Sequence, residues 1–339
     1  MKTREGRLVA SAPGKLMISG EYAVLEGGRA MVAAVSRRAR VTLDTSAGIS
    51  DGSEAPSNRW PESKTFPPEV LLTLEKAELS YGKLGHDAMH MNLSLDVQSL
   101  REGDKKLGLG SSAAASVATA AVVAMGTGRD VDKERYEIMA LALEGHRAVA
   151  PEGSGADVIA SALGGFVALA RDSEGIDIDP LSGGLGFVWR VVWTGQPART
   201  SDLVRATKLL AETSRSAYDA ALEPIGLASQ RLIDAFEGND VDTAIQAIRA
   251  HHAAMRALGE AANVPIVTLE LDLAAQLAHE EQGAAKPSGA GGGDVAIALF
   301  SSEEHALSFE AKCRARGLLP VPMTLGVEGV RVEPPILFS

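Results

Sequence analysis

The longest uncharged stretch of the chain runs from Leu107 to Gly128 and reads LGLGSSAAASVATAAVVAMGTG. Its length would suffice to cross a bilayer. Alanine, glycine, serine and threonine dominate it, however, so it is too weakly apolar to partition well into lipid. We therefore predict a helix buried inside a soluble protein, and any fold for this chain has to enclose that helix.

The residues that open this stretch predict an anion-binding loop. In KKLGLGSSAAAS, two glycines and two serines lead into the alanine-rich run, which is typical of a loop that feeds a helix N-terminus. Free backbone N–H groups and the positive end of the helix dipole then point at one place. The hydroxyls of Ser111 and Ser112 can bind phosphate oxygens or a phosphate-bound Mg²⁺. A serine-capped hydrophobic helix without a ligand is the alternative.

Two other phosphate-binding motifs compete for the same loop. The Walker pattern G-x-x-x-x-G-K-[ST] occurs nowhere in the sequence, which excludes a P-loop NTPase. The residues GLGSSA match the alanine-ended dinucleotide fingerprint. That fingerprint follows a strand directly, whereas the charged loop REGDKK precedes it here, so we discount a dinucleotide site.

Composition restricts the classes of partner. The 339 residues leave room for two domains. A formal net charge of −11 argues against nucleic acid or an anionic membrane as partner, whereas a small anionic substrate needs only a few local cations. Cys313 is the single cysteine, which rules out an internal disulfide and suits a reducing cytosol. The N-terminal segment lacks an apolar core, so we expect no signal peptide and a cytoplasmic protein.

The pattern along the chain predicts an α+β protein. Short apolar runs with glycines between them indicate strands and turns up to about residue 45. Residues 46–68 are rich in Ser, Pro and Gly and indicate an exposed loop. Residues 201–282 have a helical pattern, with predicted breaks at EPIG, EGNDVD and NVP. LGFVWRVVWTG and VAIALF indicate strands on either side of this segment, VEGVRVEPP indicates an edge strand, and we place a domain boundary near residue 190.

Three stretches together resemble a known set of motifs. They read SAPGKLMISGEYAVLEGG, LGLGSSAAAS and KPSGAGGGD, and in order and spacing they resemble the three motifs of the GHMP kinases. The resemblance implies a ribosomal-S5-like α+β domain over residues 1–190, a ferredoxin-like α+β domain over residues 191–339, and a cleft between them for ATP and the acceptor. It also implies an enzyme that uses ATP and Mg²⁺ on small molecules, as a monomer or homodimer.

Within that family the motifs resemble the branch of the phosphomevalonate kinases. Tyr22 stands where mevalonate kinases usually have histidine, and Asp294 follows three glycines where they tend to have a fourth glycine and a cysteine. The implied reaction is the ATP-dependent phosphorylation of 5-phosphomevalonate to 5-diphosphomevalonate. A mevalonate kinase with an alcohol acceptor and a GHMP-fold sensor without turnover are the alternatives. The presence of Lys15, Ser112 and Asp157 together speaks against a sensor.

The resemblance also assigns site residues. It implies that Lys15 bridges the transferring phosphoryl group and the acceptor, that Asp157 orients Lys15 and the acceptor, and that Ser112 binds Mg²⁺. The implied ATP-binding residues are Lys106, Gly108, Leu109, Gly110, Ser111, Ser112 and Ala113, and the implied acceptor-binding residues are Lys15, Tyr22, Lys286, Ser288 and Gly289.

Asp157 and its surroundings have a second interpretation. An aspartate just after a Gly-Ser-Gly turn is otherwise most often a helix cap. In mevalonate kinases a glutamate eleven residues before this aspartate helps to hold Mg²⁺, but His146 occupies that position here. The magnesium ligands other than Ser112 are therefore open.

Several polar residues are expected to be structural. Arg37 and Arg38 are more consistent with a solvated strand end than with a phosphate contact. His251 and His252 have no Cys, Asp or Glu at metal-ligand spacing, so we interpret them as structural. The sequence leaves the role of Asp294 open, and one interpretation is that it holds its loop by accepting backbone N–H bonds.

Overall fold

The computed structural model describes residues 7–44, 66–82, 92–103, 105–151, 153–173, 175–198 and 200–334. The predicted loop at 46–68 lies outside these ranges as far as residue 65. The strands are β1 (Arg7–Ser19), β2 (Ala30–Asp44), β3 (Asn92–Asp96), β4 (Arg101–Glu102), β5 (Lys105–Lys106), β6 (Phe166–Arg171), β7 (Ile176–Leu181), β8 (Val188–Trp193), β9 (Ala284–Pro287), β10 (Val295–Phe300), β11 (Leu319–Pro320) and β12 (Arg331–Val332). The α-helices are α1 (Pro68–Tyr81), α2 (Ser111–Gly126), α3 (Arg135–Val149), α4 (Ala156–Leu163), α5 (Thr200–Thr213), α6 (Arg215–Glu237), α7 (Val241–Ala261), α8 (Leu269–Glu280) and α9 (Glu303–Ala315).

The first sheet has the strand order β12-β1-β2-β6-β7, with β3 also paired to β2. Its centre is the long antiparallel hairpin of β1 and β2, in register at Ala12 and Ala39. Helices α2, α4 and α6 contact both strands of this hairpin. Both strands are therefore buried over most of their length, and small apolar residues predominate in them.

Helix α2 confirms the prediction made from the long uncharged stretch. Every residue from Ala113 to Ala124 is buried. Strands β1, β2 and β12 of the first sheet and helices α1, α3 and α4 surround the helix. Alanine side chains allow these neighbours to approach closely on all sides, at the density that protein interiors require. No helix in the described ranges reaches the length and hydropathy that a membrane crossing needs.

The second sheet is antiparallel, with the strand order β11-β8-β10-β9. Helices α7, α8 and α9 pack against it. Its core includes the rings of Phe300 and Phe309, whose centroids lie 5.1 Å apart. Two sheets with helices packed on them confirm the predicted α+β class.

Helix α6 corrects one prediction. The expected break at EPIG is wrong, because α6 continues from Arg215 to Glu237 with Pro224 inside it. An interior proline removes a backbone donor and costs roughly 3 kcal/mol or more. Leu222 and Ile225 are both buried beside it, so the packing of this helix outweighs that cost. The helical segment is interrupted instead at Ser214, whereas the breaks at EGNDVD and NVP are confirmed.

The two sheets meet in one continuous core. The predicted boundary near residue 190 falls inside β8, the first strand of the second sheet, and β12 returns to pair with β1. Between the two units, the rings of Phe166 and Phe236 lie 4.6 Å apart. The hydroxyls of Ser19 and Ser229 are hydrogen-bonded at 2.8 Å. The residue that follows β9 also contacts β1, because the Ser288 hydroxyl donates to Met17 O.

Candidate active site

The predicted anion loop has a left-handed backbone at its two glycines. Gly108 and Gly110 both have a φ of 71°, a conformation that favours glycine. Helix α2 begins directly after Gly110, and its first intrahelical bond runs from Ala114 N to Gly110 O. The N–H groups of residues 111–113, between Gly110 and Ala114, therefore have no intrahelical acceptor. They lie beside the half-buried side chains of Ser111 and Ser112, which is the arrangement an anion site requires.

An irregularity in β1 brings Lys15 to this loop. The pairing with β2 shifts between Pro13 and Lys15, and the Lys15 N–H donates to Leu109 O at 2.9 Å instead. A Cβ atom added at Gly14 would lie 2.6 Å from Leu100 Cδ2 and 2.7 Å from Leu109 O. Only glycine fits at that position, so packing requires the glycine that precedes Lys15 in the first motif.

Lys15 and Asp157 converge on Gly110. A Cβ atom added at Gly110 would lie 3.2 Å from Lys15 Cγ and 3.4 Å from Asp157 Cβ. The structure thus brings three of the predicted site residues together from β1, from the loop before α2 and from the start of α4.

Asp157 lies in the first turn of α4 and has two neighbours of different kinds. Gly155, with a φ of 79°, is the N-cap residue, so Asp157 does not cap the helix in the usual way. One carboxylate oxygen accepts the Val158 N–H at 2.9 Å. The other lies 3.5 Å from His146 Nε2. His146 therefore contacts the carboxylate from α3, and the residue that replaces the family's glutamate helps to orient Asp157.

Lys106 and its neighbour lie on the short hairpin of β4 and β5 that precedes the loop. Lys106 is exposed there. The ammonium of Lys105 lies 4.7 Å from the ring centroid of Trp193, at the end of β8. This cation–π contact joins the hairpin to the second sheet.

The third-motif loop is held by Tyr22 and Ser288. Tyr22 is buried, has a positive φ of 63°, and donates its hydroxyl to Ala290 O at 2.6 Å. The Ser288 hydroxyl donates to Met17 O at 2.9 Å. Both side chains were expected to contact the acceptor, and in the structure both join the first motif to the third.

Lys286 has a different environment from the one expected of an acceptor ligand. Its side chain is 0% exposed, and its ammonium donates to Glu21 Oε1 and to Pro287 O, each at 2.5 Å. Glu21 Oε1 also accepts the Gly289 N–H at 3.1 Å. Burial lowers the pKa of Lys286, and the charge of Glu21 opposes that fall. A direct contact with an acceptor does not fit this fully enclosed position.

Glu21 is the residue that sequence reasoning missed. It is almost fully buried and lies between Lys286, Gly289 and His251. The signal in the sequence is an acidic residue two positions after a buried strand, inside the quoted first motif. Nothing in the pattern indicates its partners, because they lie more than 200 residues away in the chain.

His251 and His252 are structural, as expected. His251 Nε2 accepts the Gly20 N–H at 2.9 Å and lies 3.2 Å from Glu21 Oε2. Burial lowers the pKa of His251 well below its ordinary value, and the charge of Lys286 adds to this effect. Burial likewise lowers the pKa of His252 to about 4. Among the described residues, no group of three or more His, Cys, Asp or Glu side chains is arranged to hold a metal ion.

Arg37 and Arg38 also have structural partners. Arg37 donates to Ser99 O and Arg101 O at 3.2 and 3.1 Å. Arg38 donates to Ser11 and to the carbonyls of residues 328 and 329. These bonds agree with a role in the sheet rather than in binding phosphate, but the expected solvated strand end is wrong, because both residues lie half-buried inside β2.

Asp294 holds its loop through backbone bonds, as predicted. Oδ1 accepts the Ala198 N–H at 3.0 Å, and the backbone N–H of Asp294 donates to Gln196 O at 2.8 Å. Its carbonyl accepts from the backbone N–H and the hydroxyl of Thr194 at 2.9 and 3.0 Å. The residue has a φ of 54°, which these four bonds stabilise.

Comparison with known proteins agrees with this arrangement. Residues 73–165 match the family described as GHMP kinases N terminal domain, and residues 232–317 match GHMP kinases C terminal. A phosphomevalonate kinase of Streptomyces sp. (strain CL190) is 30% identical over 97% of this chain and 100% of its own. A mevalonate kinase of Aeropyrum pernix is 28% identical over 96% of this chain and 98% of its own.

Two solved structures extend the comparison to the fold. The Lin0012 protein from Listeria innocua has a TM-score of 0.82 at 26% identity, covering 97% of this chain and 99% of its own. The Streptococcus pneumoniae phosphomevalonate kinase, in complex with phosphomevalonate and AMPPNP, has a TM-score of 0.77 at 21% identity, covering 94% of this chain and 99% of its own.

The two-sheet fold and the glycine-serine loop before α2 define a phosphotransferase that uses ATP. With a 30% identical relative aligned along its entire length, the chain belongs to the GHMP kinase family.

Proposed function

We propose that this protein transfers the γ-phosphoryl group of ATP to the phosphate of 5-phosphomevalonate, giving 5-diphosphomevalonate and ADP in the mevalonate route to isoprenoids. The observation that carries the proposal is the convergence of Lys15 and Asp157 on Gly110 of the phosphate loop. The Streptomyces relative named as a phosphomevalonate kinase supports the choice of acceptor.

Phosphoryl transfer depends mainly on positioning and on neutralising charge. The free N–H groups at the start of α2 hold the ATP phosphates. Lys15 lies beside them and offsets the charge of the transferring group and of the acceptor. An acceptor oxygen forms the new bond to the γ-phosphorus while the bond to the bridging oxygen of ADP breaks.

Magnesium suits the residues around the loop. Mg²⁺ is usually held by phosphate oxygens, waters and one or two protein oxygens, and it neutralises phosphate charge. The half-buried hydroxyl of Ser112, at the first turn of α2, is an oxygen donor of the required kind. Ser112 would bind the ion together with the phosphates of ATP.

The acceptor needs little help from a general base. A phosphate monoester has a second pKa of about 6, so its attacking oxygen is already mostly ionised at neutral pH. The larger obstacle is the approach of two polyanions, which Lys15 relieves. Asp157, fixed by Val158 and His146, holds Lys15 in place.

The third-motif loop shapes the acceptor side of this site. Tyr22, Lys286 and Ser288 have their polar atoms in bonds between the first and third motifs. A Cβ atom added at Gly289 would meet nothing within 4 Å. Lys15 and the open space at Gly289 are thus the features left for the acceptor, and the other three residues keep the loop in position.

The experiment is ADP release measured separately with phosphomevalonate and with mevalonate. We expect kcat/KM for phosphomevalonate to exceed that for mevalonate by at least about 100-fold, because a site built for a charged group leaves its cation unpaired with the neutral analogue. Equal or faster turnover of mevalonate would favour the second candidate, a mevalonate kinase such as the Aeropyrum relative. No ADP release with either acceptor would favour a sensor without turnover.

A further inference from the structure

The second carboxylate oxygen of Asp294 lies against the phosphate loop. A Cβ atom added at Gly108 would lie 2.5 Å from Asp294 Oδ2 and 2.9 Å from its Cγ. Two residues further along the same loop, Gly110 contacts Lys15 and Asp157. The loop therefore has the Asp294 carboxylate, from the residue before β10, at one glycine, and Lys15 of β1 with Asp157 of α4 at the next.

The environment of Asp294 is that of a fixed charge. Three hydrogen bonds to residues 194 and 196 fix its backbone, and the Ala198 N–H, which donates to Oδ1, fixes the direction of its side chain. Burial raises the pKa of the carboxyl, while the Ala198 N–H and the ammonium of Lys15 act against that rise. Lys15 therefore acts on the pKa of Asp294 as a nearby cation, which agrees with the contacts of Asp294 at Gly108 and of Lys15 at Gly110.

We infer that Asp294 is a positioning residue for Lys15, whose ammonium is drawn to the phosphate loop by two charges, that of Asp157 at the start of α4 and that of Asp294 directly before β10. The inference rests on the proposed function, in which Lys15 offsets the charge of the transferring group. A carboxylate beside a polyphosphate-binding loop repels the nucleotide unless a cation stands between them. With Lys15 between them, Asp294 adds nothing to the affinity for ATP and serves instead to keep Lys15 in its reactive position.

Asp294→Asn tests this inference, because asparagine retains an oxygen for the Ala198 N–H and removes only the charge. We expect kcat to fall about 10-fold while the KM for ATP is unchanged or lower. If Asp294 merely supports the loop, the substitution should have the opposite effect: kcat should be preserved and the KM for ATP should rise. Thr194→Val is the matched control, since it removes the hydroxyl bond to the Asp294 carbonyl and leaves the carboxylate. Its kcat should stay within about 2-fold of the wild type.

A double-mutant cycle with Asp157→Asn completes the test. If both carboxylates hold Lys15, the double variant should lose at least about 10-fold more activity than the product of the two single losses. The assays use whichever acceptor the wild-type protein turns over, so a wrong acceptor assignment leaves the cycle valid. Either of two results would overturn the inference. One is a double variant whose loss of activity equals the product of the two single losses, and the other is a raised KM for ATP with unchanged kcat in Asp294→Asn.

Discussion

Replacing Glu21 by glutamine leaves Lys286 as an ammonium group without a counter-ion in the protein interior. Both side chains are nearly inaccessible to solvent, at 2% and 0% exposure. Removing one partner of such a pair costs about 3–5 kcal/mol. This free-energy cost has an upper limit, because Lys286 can lose its proton instead of remaining charged. For an ordinary lysine pKa of about 10.4, deprotonation at pH 7 costs about 4.6 kcal/mol. We therefore expect Glu21→Gln to lose about 3–4.6 kcal/mol of unfolding free energy at pH 7.

This loss should depend on pH in a definite direction. In the variant the folded protein releases the Lys286 proton at a lower pH than the unfolded chain, which keeps it up to the ordinary lysine pKa. The penalty is therefore full at neutral pH and shrinks as pH rises. In the wild type, Glu21 opposes the lowering of this pKa, so the deficit of the variant should narrow by at least about 1 kcal/mol between pH 7 and pH 9.

Urea unfolding followed by far-UV circular dichroism at both pH values measures the effect. The double variant Glu21→Gln/Lys286→Met has no buried charge and should return to within about 1.5 kcal/mol of the wild type. Asp179→Asn is the matched control, because it breaks the exposed pair with Arg29 and should cost less than about 1 kcal/mol. A Glu21→Gln deficit below about 1 kcal/mol at pH 7, or one that is the same at pH 9, would refute the reasoning.

Three further predictions concern the site and its support. Lys15→Met should abolish measurable ADP release. Asp157→Asn should retain a residual kcat/KM that rises with pH only to about 6–7, as the acceptor ionises. If the rate of Asp157→Asn instead climbs about tenfold per pH unit above pH 7, Asp157 is a general base. Ser112→Ala should lower kcat about 100-fold or more with an unchanged melting temperature, and near-normal turnover would show that this serine is only part of the helix start. Because burial lowers the pKa of His252 to about 4, its contribution to stability is complete above pH 6.5 and is lost as pH falls toward 4. In His252→Gln, the unfolding free energy should therefore fall less steeply between pH 6.5 and 4.5 than in the wild type, by up to about 1.4 kcal/mol per pH unit, and identical slopes would contradict the assignment.

The phosphate loop and its helix could be predicted because their determinants are local. Glycines that adopt positive φ, serines at a helix start and an alanine-rich run lie next to one another in the sequence. The convergence of Lys15 and Asp157 followed from the motif resemblance, and their approach to Gly110 agrees with it. The break predicted at Pro224 failed because burial of the neighbouring side chains outweighed a local preference.

The partners of Lys286 and Tyr22 could not be predicted, since they depend on contacts over more than 260 residues of chain. A lysine next to a glycine-rich loop has the same local pattern whether it binds an anion or an internal carboxylate. Its burial follows only from the pairing of β9 with β10 and from the packing of α7 and α8 on β9. Local pattern therefore identified the polar residues of the third motif but not the atoms they contact.

The pairing of β12 with β1 has a consequence for the order of events during synthesis. Ser11 and Arg331 are opposite each other in the first sheet, although 320 residues separate them. At about 5–20 residues per second, a ribosome needs roughly 16–64 seconds to produce the intervening chain. Throughout that interval the outer edge of β1 has no strand beside it, and an open strand edge is a template for pairing with other chains. Until β12 has been synthesised, this edge of β1 is therefore open to pairing with other chains.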